Sequence, residues 1–256
     1  MSPPLFLAGT LAAALAVVLV FFAIGAATGR HRVVDVAWGI GFAAVALTGL
    51  ALTGGRGWLP AALTVGWGLR LSVHIGLRGR GAPEDPRYDE LLSRAKGSRT
   101  WYALRMVYLL QGLTLWFVSL PVQAAQYYGH GLSPWAAIGV ALWLTGFVFE
   151  SVGDRQLARF RADPANRGRV LDTGLWRYTR HPNYFGDACV WWGLYALAAT
   201  SWPGPLTVLS PLLMTWLLAR KTGKPLLERH LATTRPDYAA YAARTSGFIP
   251  WPPRRA

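Results

Sequence analysis

The stretch "RYTRHPNYFG", residues 177–186, sets Arg177, Tyr178, Arg180, His181 and Asn183 against an apolar run that starts at Tyr184. Two guanidiniums, an imidazole and an amide suit an anion that also carries hydrogen-bonding groups: guanidinium pairs with phosphate, and an amide pairs with a carboxamide or a base edge. Pro182 fits the first turn of a helix, and the free N–H groups of that turn add to the preference for an anion. Upstream, "FESVGDRQLARFRADPANRG" spaces Glu150, Asp154 and Arg161 by four and seven, which puts all three on one helical face. Gly174 breaks the chain between the two segments. Downstream, Lys221, Lys224, Glu228, His230, Tyr238 and Tyr241 crowd a basic tail. Acids interleaved with arginines point to recognition of a ligand with phosphates, hydroxyls and an amide. A cluster of basic residues alone would serve only to fix topology.

The elements that must position these groups are helices in a bilayer. Of 256 residues, 53% are hydrophobic and 15% charged, yet the formal net charge is +14. Apolar runs at about 5–27, 34–53, 58–77, 101–125, 134–152, 184–200 and 203–219 approach the roughly 20 residues that cross a membrane. They rule out nucleic acid, the usual partner of so basic a chain. The first run has no basic segment before it and is long for a secretory signal, so it reads as a transmembrane helix. Of 26 Lys and Arg, 23 fall in 28–33, 78–99, 153–180 and 220–256. Basic and neutral connections alternate, as seven spans obeying the positive-inside rule require. Trp58, Trp101, Trp135 and Trp202 mark span ends.

The expected architecture is therefore all-α, a single polytopic domain over 1–256 with seven transmembrane helices. Its N-terminus lies outside and its C-terminus in the cytoplasm, with a bacterial inner membrane as the expected address. The ligand-binding cytoplasmic half falls mainly in 150–251. Leu226, Leu227 and Leu231 fit an amphipathic helix lying on the membrane. No internal repeat suggests a transporter built from duplicated halves. Cys189, the single cysteine, reads as a buried spectator, and no metal site is expected.

Ionisable groups in or beside a span cost several kcal/mol unless paired or hydrated, which makes them functional candidates. Asp35 stands at the cytoplasmic mouth of the second span in "VVDVAWGIGF", and Arg70 and His74 lie four apart in the third. Asp187 sits just inside the sixth. Ion pairing that fixes helix register is the competing explanation, with Arg70 as the partner of Asp35. The "GIG" at 39–41 lies within a span, so its small residues read as a place of close helix approach rather than a nucleotide loop.

At this point the chain resembles a known family. Residues 142–251, with "GLWRYTRHPNYFGD" and "GKPLLERHLATTRPDYAAYAARTSGFIPWPP", resemble DUF1295, which belongs with the steroid 5-alpha-reductase-like membrane proteins. "DVAWGIGF" and "EDPRYDELL" fit the same family, so the likeness covers about 30–253. The "RHPNYFG" turn alone is also similar to one in isoprenylcysteine and phospholipid methyltransferases. The resemblance implies seven helices, NADPH held in the cytoplasmic half, and a lipophilic substrate entering from the bilayer. It implies a cofactor site at Glu150, Asp154, Arg161, Tyr178, Asn183 and Asp187, to which the chemistry of the neighbouring residues adds Arg180, His181, Lys224 and Glu228.

The steroid reductase branch has asparagine where Glu150 stands and glutamate where Asp187 stands. In that branch an acid on the second span and a tyrosine on the third polarise the substrate ketone. Here Asp35 is the only acid of the second span and Tyr88, in the loop after the third, is the stand-in tyrosine, with His74 the other candidate. The implied reaction reduces a carbon–carbon double bond conjugated to a carbonyl, and Asp35 donates to the oxygen only if it stays protonated. One alternative is an S-adenosylmethionine-dependent membrane methyltransferase, whose relatives carry adjacent glutamates where this chain has Leu227 before Glu228. The other is a non-catalytic lipid-binding membrane protein.

Overall fold

The computed structural model describes residues 1–129, 134–221 and 223–254, apart from the side chains of Leu226 and His230. Those two tail side chains therefore lie outside the described residues. Regular structure among the described residues is helical, and the chain forms two compact units.

The first unit comprises Met1–Leu132 with Ala198–Thr207. It contains α1 (Pro3–Thr28), α2 (Val33–Leu52), α3 (Trp58–Gly79), α4 (Pro86–Ser93), α5 (Arg99–Ala103), α6 (Leu110–Val118) and α7 (Leu120–Tyr128). A π-helical stretch, Leu104–Leu109, joins α5 to α6. Helices α2 and α3 touch backbone to backbone. A Cβ added at Gly39 would lie 2.0 Å from the Gly68 carbonyl oxygen, and one at Gly68 would lie 2.5 Å from that of Gly39. The small residues of "GIG" thus serve close approach, as the sequence suggests. The short helix α4 follows from its own residues. Asp85 caps it by accepting from the Arg87 N–H at 2.9 Å, and Pro86 fills its first turn. The Glu84 carboxylate accepts from the backbone N–H groups of His31 and Arg32 at the start of α2. That bond satisfies donors a helix start leaves over and ties the α4 loop to the mouth of α2. Tyr88 and Leu92 complete the anchoring by packing with Val18, Val34, Val107 and Tyr108.

The second unit comprises Ser133–Leu197 and Val208–Ala256. It contains α8 (Ala136–Ala162), most of α9 (Pro182–Ala198), α10 (Leu209–Trp216), α11 (Lys224–Thr234) and α12 (Tyr238–Arg244). Glycines every seven residues, Gly139, Gly146 and Gly153 on α8 with Gly186 and Gly193 on α9, let these two helices meet along a seam. At Gly186 an added Cβ would stand 2.5 Å from both the Glu150 nitrogen and the Gly146 oxygen. The tail folds back onto the turn before α9. The Arg180 N–H donates to the Ser246 carbonyl at 2.9 Å, the Trp251 N–H to that of Tyr178 at 2.9 Å, and the Tyr241 hydroxyl to that of Trp176 at 2.6 Å.

The helices carry fewer complete spans than the sequence predicts. Helices α1, α2 and α8 are each long and apolar enough to cross a membrane. A fourth span arises if Arg99–Val118 and Leu120–Tyr128 count as one, bent by 44°. Pro121, in the first turn of α7, lacks the N–H that would continue the helix and accounts for the bend. The other three runs fall short for physical reasons. Helix α3 carries Arg70, His74 and Arg78, α9 has 17 residues, and α10 has eight before the π-helical Leu217–Lys221.

Candidate functional site

In the first unit, chemistry gathers where α4 meets α2. The Tyr88 hydroxyl donates to Asp35 Oδ1 at 2.5 Å, and Arg87 Nη2 lies 3.2 Å from Asp35 Oδ2. Tyr88 is 7% exposed and the Asp35 side chain 25%, so the pair sits at a half-open mouth. The guanidinium against Asp35 is that of Arg87, where the sequence suggests Arg70. Arg87 also grips Asp85 at 2.8 Å. That hydrogen bond, and the Asp35 charge beyond it, hold the guanidinium more firmly protonated than usual. Burial, then the neighbouring Asp35 charge, push the Tyr88 phenol well above its ordinary 10. The phenol therefore keeps its proton. His74 lies half-buried on α3, one turn past Arg70.

In the second unit, a cavity of about 460 Å³ opens between α8, the turn before α9, and the tail helices. Its walls include Arg161, Arg167, Arg169, Arg180 and Arg235, together with Trp176, Tyr238 and Tyr241, while Asp163 is the one acid lining it among the described residues. Guanidiniums in that excess beside aromatic faces favour a planar, phosphate-bearing ligand. Leu227 and Leu231 line the same cavity, so the apolar face of α11 turns to protein rather than to lipid as expected. Of the residues the sequence groups here, Glu150, Asp154 and Asp187 are buried beside the α8–α9 seam. The Asn183 amide donates to Asp154 Oδ1 at 3.2 Å. Tyr178 is 43% exposed and Lys224 half-buried.

Arg180 is more of a strut than the sequence implies. Its Nε donates to Glu228 Oε1 at 2.8 Å, and Nη1 to the carbonyls of Ala242 and Thr245 at 2.7 and 2.8 Å. Glu228 Oε1 also receives His181 Nε2 at 3.1 Å. Burial lowers the His181 imidazole from its ordinary 6.5 despite that carboxylate, so the ring is neutral near pH 7. A carboxylate only accepts, which places the proton on Nε2 and makes Nδ1 a bare acceptor. Nδ1 is buried without a hydrogen-bond partner among the described residues.

The pH dependence of this cluster has one sign. Burial alone would raise the Glu228 carboxyl, but hydrogen bonds from His181 and Arg180 outweigh it and hold it at about 2, against an ordinary 4.5. Its contribution is complete above 4.5 and lost as pH falls towards about 2. A depressed histidine acts in the same direction, since the unfolded chain takes up its proton first as pH drops below 6.5. Melting temperature in detergent should therefore fall as pH is lowered from 7 to 4. Glu228→Gln should melt lower at pH 7, by the equivalent of roughly 2 kcal/mol once partial exposure is allowed for, and should lack the further fall that the parent shows below pH 4.5. A parental profile in that variant would refute the assignment.

Sequence reasoning passed over Arg167, Arg169, Arg235 and Trp176. The first two lie within the basic 153–180 segment, where the positive-inside rule already accounts for arginine. Trp176 and Arg235 gave no signal, because only the folded-back tail brings them to the cavity.

A family model described as "Protein of unknown function (DUF1295)" matches residues 21–245. The uncharacterized protein C594.04c of Schizosaccharomyces pombe is 24% identical over 216 residues, 72% of this chain and 60% of that protein. The 3-oxo-5-alpha-steroid 4-dehydrogenase 1 of Mus musculus is 33% identical over 91 residues, 36% of this chain and 35% of that protein. The chain thus spans less than two thirds of either relative. Both are eukaryotic and lend no support to a bacterial inner membrane as the address. No solved structure matches.

Proposed function

The chain belongs to the DUF1295 family, and from that premise we propose that it is a membrane-embedded reductase. Its proposed reaction saturates a carbon–carbon double bond conjugated to a carbonyl in a lipophilic substrate, with NADPH as reductant. The observation that carries the reading is the 2.5 Å hydrogen bond from Tyr88 to Asp35 at the mouth of α2. An acid paired with a tyrosine is the arrangement that can polarise a ketone. The similarity to a 3-oxo-5-alpha-steroid 4-dehydrogenase supports an oxidoreductase of this kind. The reading keeps the basic loops on the cytoplasmic side.

NADPH, when bound, supplies the hydride. The protein's part is to hold, orient and stabilise. The phenol has one proton, which Asp35 accepts in the resting site; when a ketone enters, that proton turns to the substrate oxygen, where negative charge develops, and acts strongly in a site poor in water. Arg87 keeps the Asp35 carboxylate paired once the phenol has turned away. The second unit fits the cofactor's chemistry. Arg161, Arg169 and Arg235 would take its phosphates, and the bare acceptor His181 Nδ1 suits an amide or hydroxyl donor. Asn183, fixed by Asp154, would offer hydrogen bonds to the carboxamide or a ribose hydroxyl.

Calorimetry on detergent-purified protein with NADPH, NADH and S-adenosylmethionine tests this reading. NADPH should bind most tightly. Arg169→Ala should weaken it about tenfold, the effect of one partly exposed charged hydrogen bond, with the melting temperature unchanged. Preferential binding of S-adenosylmethionine would hand the site to the methyltransferase reading.

A further inference from the structure

The segment after α12 forms a strap whose large apolar side chains face outward. Ile249 and Trp251 are 65% and 69% exposed, and Tyr178, whose carbonyl accepts the Trp251 N–H at 2.9 Å, is exposed as well. Large apolar side chains grouped at a surface mark a place of contact. We propose that residues 246–254 are an interfacial anchor, which seats on anionic lipid headgroups with Ile249 and Trp251 inserted beneath them. The inference rests on the reading of α8 as a span and involves no cofactor.

Helix α8 marks the depth. Val148, Val152, Arg155 and Arg159 follow one another along one exposed face, so hydrocarbon gives way to headgroups between Val152 and Arg155. The start of α9 is level with that point, since a Cβ added at Gly153 would lie 3.0 Å from Pro182 Cγ. The strap lies across the residues just before Pro182. The Thr179 hydroxyl donates to the Phe248 carbonyl at 2.8 Å, and the Phe248 ring meets Phe185 edge to face at 6.4 Å. Phe185 in turn meets Phe149 of α8 at 5.2 Å, on the apolar side of the boundary.

The backbone of the strap suits entry into lipid, where a bare polar group is costly. Pro250, Pro252 and Pro253 have no N–H, and the Ile249 carbonyl accepts from the Ser246 hydroxyl at 2.5 Å. The Trp251 N–H is already paired. Tryptophan and arginine are the side chains that hold a segment at a charged lipid surface. Arg177 and Arg254 are exposed, whereas Asp172, the one acid in 172–180 and 244–254, is held by Arg244 at 2.6 Å. That leaves positive charge for an anionic headgroup. The strap also carries the Ser246 carbonyl, which accepts from the N–H of Arg180 in the arginine-lined cavity, so lipid contact backs that wall.

Spin-label accessibility measures the depth. Cys189, the single cysteine, is buried, so nitroxides go onto Ile249→Cys, Val148→Cys and Ala165→Cys in a Cys189→Ser background reconstituted into vesicles. In phosphatidylcholine mixed with phosphatidylglycerol, the label at position 249 should favour collision with oxygen over a water-soluble nickel chelate. Its reading should fall between those of the lipid-facing position 148 and the exposed loop position 165. In phosphatidylcholine alone that oxygen preference should drop by roughly half. Equal readings in the two compositions, or a reading at 249 like that at 165, overturn the anchor. A water-like reading at 148 as well removes the span reading with it. If the labelled variants fail to fold, lipids brominated near the headgroup give a second readout. They should quench a component of the tryptophan emission that Trp251→Phe removes, and the lack of such a component overturns the anchor too.

Discussion

Tyr88→Phe is expected to lower enone turnover by a hundredfold to a thousandfold, the usual loss when one fixed donor to a developing oxyanion is removed, while NADPH affinity stays at the parental value. The substitution removes one oxygen and keeps the ring that packs with Val34, Leu92 and Val107, so the fold should persist. Asp35→Asn should lose less. Its amide still anchors the phenol, although Arg87 then has only Asp85 as a carboxylate partner at this mouth. Because the two side chains share one hydrogen bond, the double variant should be little worse than Tyr88→Phe alone, as is usual for residues acting as a unit. Single-turnover measurements separate the step affected from substrate binding. Full turnover by Tyr88→Phe would remove Tyr88 from the chemistry, and additive losses would dissolve the pair.

The largest structural effect should come from Gly146→Leu. Even the first carbon of that side chain would lie 2.4 Å from the Gly186 oxygen and 2.6 Å from the Val190 nitrogen. Both are backbone atoms and cannot swing aside, so α8 and α9 must separate. Overpacking of this kind costs about 3 kcal/mol or more. The separation should also pull Asp154 away from Asn183 and abolish NADPH binding along with thermal stability. Gly66→Ala is the control, since an added Cβ there has nothing within 4 Å. Thermal melts in detergent should leave the control near the parent and strip Gly146→Leu of its cooperative transition. A parental melt for Gly146→Leu would show that the seam is not closely packed.

The comparison of sequence with structure divides along what spacing can and cannot encode. Helix faces were legible: Glu150, Asp154 and Arg161 share α8, Pro182 opens α9, and Gly39 sits against Gly68. The acid and tyrosine of the mouth were named from resemblance, and their contact follows from a capped helix that spacing does not reveal. Asp85, Pro86 and Glu84 are what bring Tyr88 to Asp35. The Arg87 partner was missed because Arg70 is nearer in an apolar run, whereas the loop folds back over fifty residues of chain. The seven predicted spans outnumber the helices that are long and apolar enough to cross a membrane where charge and length disagree with hydrophobicity, as at Arg70 and His74 in α3. The bonds of Arg180 to the tail were not legible, because a guanidinium beside a helix start looks the same in sequence whether it grips a ligand or its own tail.

The proposed reaction is transfer of a hydride from NADPH to a lipophilic enone under the control of Tyr88. The most direct measurement supplies detergent-purified protein with NADPH deuterated at its transferable position and a panel of lipophilic enones, and analyses the products by mass spectrometry. The expected product is a saturated ketone carrying deuterium at the β carbon with the parent protein, and almost none with Tyr88→Phe. Saturated product without the label, labelled product formed equally well by Tyr88→Phe, or a methylated product formed only with S-adenosylmethionine would contradict it.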